Sequence, residues 1–279
     1  MPEVVKTNPD ISRMVEDIHR RLSLIPRTAV VLGSGLGSFA NTVQDAVHIP
    51  YDQIPGYPVS GVEGHAGELV VGIIASEPVL LASGRFHLYE GYDIETVTLP
   101  VRIFHSLGIK NLIITNAAGA THRDFLPGTL MAVVGHLDCT FRHSAAMPTI
   151  ERGVQYHSPE LLDLVLGVAR NEKITLEQGI YAWTLGPSYE TPAEVRMIQQ
   201  LGGDAVGMST VPEVQLAGEL GLKVLTISCL TNYAAGITAQ PLSHDEVIAT
   251  ASRISDDFGR LVYGIIEGIS RRRVAGNNE

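Results

Sequence analysis

The sequence predicts an α/β protein, a single domain over residues 1–279 whose mixed, mostly parallel twisted sheet is flanked by helices on both faces. Short β-branched runs recur along the chain and read as buried strands. Helical patterns separate several of them, an alternation that builds largely parallel or mixed sheets. Helix starts are marked by capping signals set just after a strand or loop.

The elements follow in order. A helix over about 10–25 opens the chain. The strand runs are 28–33 (TAVVLG), 68–74 (ELVVGII), 78–83 (PVLLAS), 111–116 (NLIITN), 131–138 (MAVVGHLD), 179–185 (GIYAWTL), 204–208 (DAVGM) and 223–231 (KVLTISCLT). Helical patterns lie at 96–107, 159–170, 192–201 and 212–220. Thr191-x-x-Glu194, Thr210-x-x-Glu213 and Ser243-x-x-Glu246 each match a capping box, and Glu190, Ser209 and His244 adjoin them. Open α/β sheets bind ligands beyond the carboxyl ends of their strands, so these three residues are candidates for a shared site. The basic run 271–273 follows an apolar helical pattern and suits a helix C-terminus, and the polar tail at about 274–279 is expected to fray.

Composition narrows the function. With 45% apolar and 18% charged residues the chain reads as a compact soluble protein, and a net charge of −10 argues against broad binding to nucleic acid. The two cysteines, Cys139 and Cys229, sit in apolar segments without a CxxC spacing, which suits buried thiols in a reducing cytoplasm. Charges at Glu3, Lys6, Asp10, Arg13 and Glu16 interrupt any signal core, and no apolar run is long enough to span a bilayer.

Four strand ends carry polar or glycine-rich chemistry. Gly33-Ser34-Gly35-Leu36-Gly37 is a candidate phosphate loop in which backbone amides approach an anion and Ser34 adds a hydroxyl. Position 38 is serine and no Walker lysine follows, so the loop fits neither a dinucleotide fingerprint nor a P-loop. The segment 83–92 (SGRFHLYEGY) places Arg85 and His87 on one side if extended, both able to face phosphate. The segment 116–119 (NAAG) reads as a small-residue turn whose backbone could lie against a ligand, and 206–210 (VGMST) ends a further strand.

Together GSGLG, GHAG, SGRFHLYEGY, TNAAG, GPSYET, GMSTVPE, TN and SHDEV, in that order, resemble the trimeric, low-molecular-mass purine nucleoside phosphorylases over most of residues 28–270. The resemblance implies that Ser34, Arg85, His87, Ser209 and the backbone at Ala117 hold phosphate, with His65 closing over it. Tyr89, Met208 and His244 would contact ribose, His244 near the 5′-hydroxyl. Tyr189, Glu190, Thr231 and Asn232 would face the purine. Catalysis would fall to Asn232, Glu190 and His87. Cleavage builds positive charge on the sugar, which phosphate stabilises, and negative charge on the purine, which the Asn232 amide stabilises at N7 or O6 while Glu190 accepts from the N1 side. Inorganic phosphate is then a co-substrate, and neither a metal nor an organic cofactor is needed.

Asn232 separates this chain from the methylthioadenosine phosphorylases, which resemble it but favour aspartate there, so inosine and guanosine are expected over adenosine. That activity, or cleavage of a nucleoside with an altered sugar, is the alternative. The family's loop after the fifth strand, which delivers an aromatic to the neighbouring subunit's ribose, is not recognisable in 135–160. Phe141 is the nearest aromatic, against an ordinary core or loop phenylalanine. A dinucleotide oxidoreductase leaves Arg85 and His87 unexplained, a purine sensor would not need the phosphate residues, and a serine hydrolase lacks the GxSxG elbow. The remaining histidines (His48, His105, His122, His136, His143 and His157) show no metal-ligand spacing, and Trp183 and both cysteines read as core. The resulting expectation is a single α/β domain with a mixed, partly barrel-like sheet, assembling as a homotrimer by resemblance.

Overall fold

The structure, a computed structural model, describes residues 10–59, 61, 66–239 and 244–276. The first helix, α1 (Ile11–Arg21), starts where the Asp10 carboxylate accepts the Arg13 amide at 3.1 Å and ends on Arg20 and Arg21, cations placed against the negative end of the helix. Then follow β1 (Thr28–Leu32), β2 (Gln44–Pro50), β3 (Glu68–Ile74), β4 (Glu77–Ser83), the short α2 (Ile94–Val97), α3 (Leu99–Ser106), β5 (Asn111–Ala120) and β6 (Thr129–Asp138). The second half holds α4 (Pro159–Glu172), β7 (Leu176–Trp183), α5 (Pro192–Gln200), β8 (Ala205–Gly207), α6 (Val211–Glu219), β9 (Lys223–Tyr233), α7 (His244–Arg253) and α8 (Ser255–Gly276).

Among the described residues the strands form one sheet in the order β2-β3-β4-β1-β5-β8-β7-β6-β9, and β9 returns to pair with β5. That last pairing closes β5, β8, β7, β6 and β9 into a barrel and leaves β2, β3, β4 and β1 as an open wing. The wing and barrel share β5. Its residues 111–114 pair with β1, Gly119 and Ala120 pair with β8, and β9 runs parallel along its whole length. Pairings β1–β4, β1–β5, β5–β9, β6–β7 and β7–β8 are parallel; the other four are antiparallel. The mixed, mostly parallel α/β sheet and its partial barrel are as the sequence predicts.

Continuous apolar strands are buried on both faces, as parallel strands between helices must be. Val30, Leu32, Val70, Leu81 and Ile113 pack with Phe258, Leu261 and Ile265 of α8 and Leu161 and Val165 of α4. The alternate residues Ala29, Val31, Leu69, Leu80, Leu112 and Ile114 pack with Met14 and Ile18 of α1, Phe104 of α3 and Val214 of α6. The five barrel strands send Ala118, Met131, Tyr181, Ala205 and Leu230 into a third cluster, which fills the barrel. Trp183, Cys139 and Cys229 are buried and both thiols are free.

Four elements differ from the expectation. β2 went unread because QDAVHIP is mostly exposed and lacks an apolar stripe, a polar edge strand that protects the sheet margin. The segment 116–119 is strand, not turn, since β5 continues to Ala120 between β9 and β8. The opening helix is shorter than 10–25, and α8 runs through Gly276, so residues 274–276 of the tail are helical, while 277–279 lie outside the described residues. Thr191 does cap α5: its hydroxyl accepts the Glu194 amide at 3.3 Å while Glu194 accepts the Thr191 amide at 2.7 Å. Thr210 does not cap α6 with its side chain, for a reason that belongs to the site. The Ser243 box lies outside the described residues.

Candidate active site

A cleft opens where wing meets barrel, beyond the carboxyl ends of β1, β4 and β9. Ser34 comes from the loop after β1, Arg85, His87 and Tyr89 from the segment after β4, and Ala117 from β5. Tyr189 and Glu190 reach it from the β7–α5 connection, Met208 and Ser209 from the end of β8, and Thr231 and Asn232 from β9. These eleven side chains or backbone positions were all expected in one site, and the structure brings them together. His65 lies outside the described residues. His244 opens α7, and its side chain is likewise not described, although Val247 on the next turn lines the cleft. Phe141 is not core: it is 41% exposed and lies outside the cleft of its own chain.

Arg85 anchors one end. It is only 2% exposed, and its Nη1 donates to Ser209 Oγ at 2.9 Å and Thr210 Oγ1 at 3.0 Å, while Nη2 donates to the Thr115 carbonyl at 2.6 Å. Its Nε faces Glu213 Oε2 at 3.7 Å, and Glu213 is itself 1% exposed. A buried cation needs a counter-charge, and Glu213 supplies it. Burial raises the Glu213 carboxyl, and the Arg85 charge and the Thr210 amide pull it back down.

This is why Thr210 leaves its helix uncapped. It sits at φ 80°, a strained conformation for a β-branched residue, and its hydroxyl meets Arg85 and accepts from Asn116 Nδ2 at 3.1 Å. Of the capping box read in Thr-x-x-Glu only the pull of the Thr210 amide on Glu213 is present, and both side chains serve as a clamp on Arg85. Gly33 also differs from its expected role, because its amide donates to Thr115 Oγ1 at 3.1 Å and is not directed at an anion. A Cβ there would stand 2.7 Å from Asn116 Cα, so glycine is required for β1 to close on β5.

His87 is buried, and its Nδ1 lies 3.0 Å from Glu90 Oε1. Burial lowers its pKa, and the Glu90 hydrogen bond opposes that fall. Glu90 also accepts the His87 and Gly61 amides at 2.8 and 3.0 Å; burial pushes its carboxyl up, but these bonds hold it below its ordinary value. The Tyr89 ring stacks on His87 at 4.6 Å. Met208 and Tyr89 then close over Gly186, where a Cβ would stand 2.4 Å from the Met208 sulfur.

The other end is set by local contacts. Glu190 Oε1 accepts the Thr184 hydroxyl at 2.6 Å. Asn232 Oδ1 accepts the Thr231 hydroxyl at 2.9 Å and Nδ2 donates to the Tyr233 carbonyl at 2.9 Å, which orients the amide and leaves its second N–H for a ligand. A register shift lets both residues serve the cleft: Ala118 pairs with Leu230 but Gly119 with Asn232, so Thr231 is the extra residue of a bulge.

Sequence reasoning missed Asn116, Thr184 and Glu213 as site residues. Asn116 stood within a quoted motif and Glu213 within a helix-start pattern, so both were visible without their roles; Thr184 carried no signal. Among the described residues no group of three or more His, Cys, Asp or Glu could hold a metal ion.

The arrangement joins a fixed cation and hydroxyl donors at one end to an amide donor and a carboxylate acceptor at the other. Known proteins of this build were found. Residues 27–267 match the family profile described as the Phosphorylase superfamily. Purine nucleoside phosphorylase 1 of Geobacillus stearothermophilus is 43% identical over 268 residues, covering 94% of this chain and 98% of that protein. The purine nucleoside phosphorylase of Mus musculus is 36% identical over 260 residues, covering 88% and 89%. A crystal structure of Schistosoma mansoni purine nucleoside phosphorylase in complex with inosine superposes with a TM-score of 0.84 at 32% identity, covering 92% of this chain and 95% of that one. The chain belongs to the phosphorylase superfamily, and within it to the purine nucleoside phosphorylases.

Proposed function

We propose that the cleft performs phosphorolysis of 6-oxopurine nucleosides such as inosine and guanosine, releasing the free base and ribose 1-phosphate. The observation that carries this reading is the Arg85 clamp: a buried guanidinium held by Ser209, Thr210 and Thr115 offers a preorganised cationic wall beside the Ser34 and His87 side chains. Phosphate bound there by Ser34, Arg85, His87, Ser209 and the Ala117 backbone, with His65 closing over it, is positioned as nucleophile toward the anomeric carbon. Its oxygen forms the new bond to that carbon as the bond to the purine nitrogen breaks and the electron pair leaves with the base.

Asn232 and Glu190 take up the departing base. The free N–H of Asn232 stabilises charge growing on N7 or O6, and Glu190 accepts from N1–H. Tyr189 and Thr231 complete the base side, with Tyr89, Met208 and His244 on ribose. An amide at position 232 favours a 6-oxo over a 6-amino group, which sets this reading above a methylthioadenosine phosphorylase. No metal or organic cofactor enters these steps; inorganic phosphate is the co-substrate.

The chain works as one domain in a cytoplasmic homotrimer. Support for assembly comes from apolar side chains left exposed along the stretch 141–154, Phe141 at 41%, Met147 at 56% and Val154 at 69%, and from exposed Leu185 and Tyr189 on the β7–α5 connection. Phe141 is the candidate to reach a neighbour's ribose. No helix among the described residues is long and apolar enough to cross a membrane. Inosine turnover with and without inorganic phosphate tests the reaction: hypoxanthine and ribose 1-phosphate formed only with phosphate carry the proposal, and no cleavage of any purine nucleoside would end it. Sedimentation of the purified protein tests the trimer.

A further inference from the structure

We infer that Thr184 is a specificity-determining positioning residue, which tilts the site toward a base without a 2-amino group by occupying one oxygen of Glu190. The inference rests on the reading of Glu190 as the acceptor for the purine N1 side.

Thr184 follows β7, and its backbone N–H donates to the Gly207 carbonyl at 2.9 Å, which fixes the residue without help from its side chain. Its hydroxyl hydrogen has two acceptors in reach: Glu190 Oε1 at 2.6 Å and the Gly207 carbonyl at 3.3 Å. The shorter contact is to a carboxylate and has the length of a charge-assisted O–H···O⁻ bond, so the proton points at Glu190. Glu190 is 9% exposed and lines the cleft, where an oriented carboxylate acts on whatever edge the base presents.

A carboxylate facing a 6-oxopurine without a 2-amino group needs one oxygen, to accept N1–H. A 2-amino-6-oxopurine presents N1–H and an N2–H side by side, a pair that matches both carboxylate oxygens at once. With Oε1 already accepting from Thr184, the second donor meets an oxygen whose plane and lone pairs are partly committed. The Thr184 hydroxyl therefore helps hypoxanthine nucleosides by orienting Oε2 and withholds full bidentate pairing from guanine nucleosides.

The test is the ratio of kcat/KM for guanosine to that for inosine, in saturating phosphate, for the unsubstituted enzyme, Thr184→Val and Thr184→Ser. Valine keeps the shape and the backbone bond but loses the hydroxyl, and serine restores it. The ratio is expected to rise about fivefold in T184V, the worth of one ordinary hydrogen bond, and to return toward the starting value in T184S. Calorimetric binding of free guanine and hypoxanthine should move the same way. A T184V ratio that stays in place or falls while both nucleosides are still cleaved overturns the role of Thr184 alone. Cleavage of neither nucleoside by the unsubstituted enzyme overturns the phosphorylase reading instead. Should T184V fail to fold, Thr184→Ala replaces it, judged by the same ratio.

Discussion

The two ends of the cleft are built differently. At the anion end the contacts of Arg85 and Thr210 tie together residues remote in sequence: Arg85 to Ser209 and Thr210, and Asn116 to Thr210, across 124, 125 and 94 positions, while His87 is held locally by Glu90. At the base end the contacts that orient the two base-facing side chains tie neighbours, Thr184 to Glu190 across six positions and Thr231 to Asn232 across one, with longer secondary contacts from the same hydroxyls to the Gly207 and Ala118 carbonyls. The anion end is thus part of what holds β4, β5 and the start of α6 together, while the base end consists of side chains oriented on elements already in place. Changes at the first should alter stability and catalysis together; changes at the second should alter base choice at a smaller cost in stability.

The sharpest way to break that contrast is Arg85→Ala. It removes the charge proposed to face phosphate and strands Glu213, buried and unpaired. Phosphorolysis should fall on the order of 10³-fold, and stability by about 3 kcal/mol, since breaking a buried ion pair leaves one charge uncompensated. Steady-state kinetics against phosphate and urea unfolding measure both; loss of activity with stability intact would contradict the shared role of the anion end.

Asn232→Asp probes the other end. The carboxylate would repel charge growing on O6 or N7 and accept from a 6-amino group, so kcat/KM for inosine should drop about 10²-fold and adenosine should gain on it. The Thr231 hydroxyl can still donate to the new side chain, but the Nδ2 bond to the Tyr233 carbonyl is lost, so stability should fall by about 1 kcal/mol, well short of the Arg85→Ala loss. An unfolded or strongly destabilised N232D would show that the base end too is structural.

The same contrast explains what the sequence made legible. The strands could be read because their apolar runs are continuous, and the anion residues because Gly, Ser, Arg and His at strand ends are unusual company. The role of Glu213 was hidden because Thr-x-x-Glu looks alike whether or not the glutamate also turns to an arginine 128 positions away, which only the wing-to-barrel closure decides. The strand through Ala120 was read as a turn because small residues mark both, and the pairing of β5 with β8 is a tertiary fact. The bulge at Thr231 depends on the β5–β9 register, and Thr184 acts through a side chain six residues on; neither leaves a local pattern. Residue types were visible where chemistry is rare, but orientation was not.

Thr210→Val should give an intermediate effect. It keeps the branched shape and the φ of 80° but deprives Arg85 Nη1 and Asn116 Nδ2 of an acceptor. Arg85 retains Ser209, so KM for phosphate should rise about tenfold and stability fall by about 1–2 kcal/mol, both smaller than for Arg85→Ala. A change confined to kcat for one base would place Thr210 with the base end instead.

The smallest effect concerns protons. Burial lowers His87 in the folded protein, against the Glu90 bond and together with the Arg85 charge, whereas the unfolded chain keeps the ordinary value of 6.5. Below pH 6.5 the unfolded chain therefore binds more protons, so the stabilisation is whole above that pH and declines as pH falls. Outside both ends, His136 and His157 form a second buried couple, with Nδ1 and Nε2 3.0 Å apart, and burial pushes each down to about 4. Their contribution declines in the same direction between pH 6.5 and 4. His87→Gln should remove only part of the acid sensitivity of the melting temperature, and His136→Asn a separate part. If His87→Gln leaves the pH dependence of melting unchanged, the histidine at the anion end is not held neutral by the fold, and the coupling of that end to stability stops at Arg85 and Glu213.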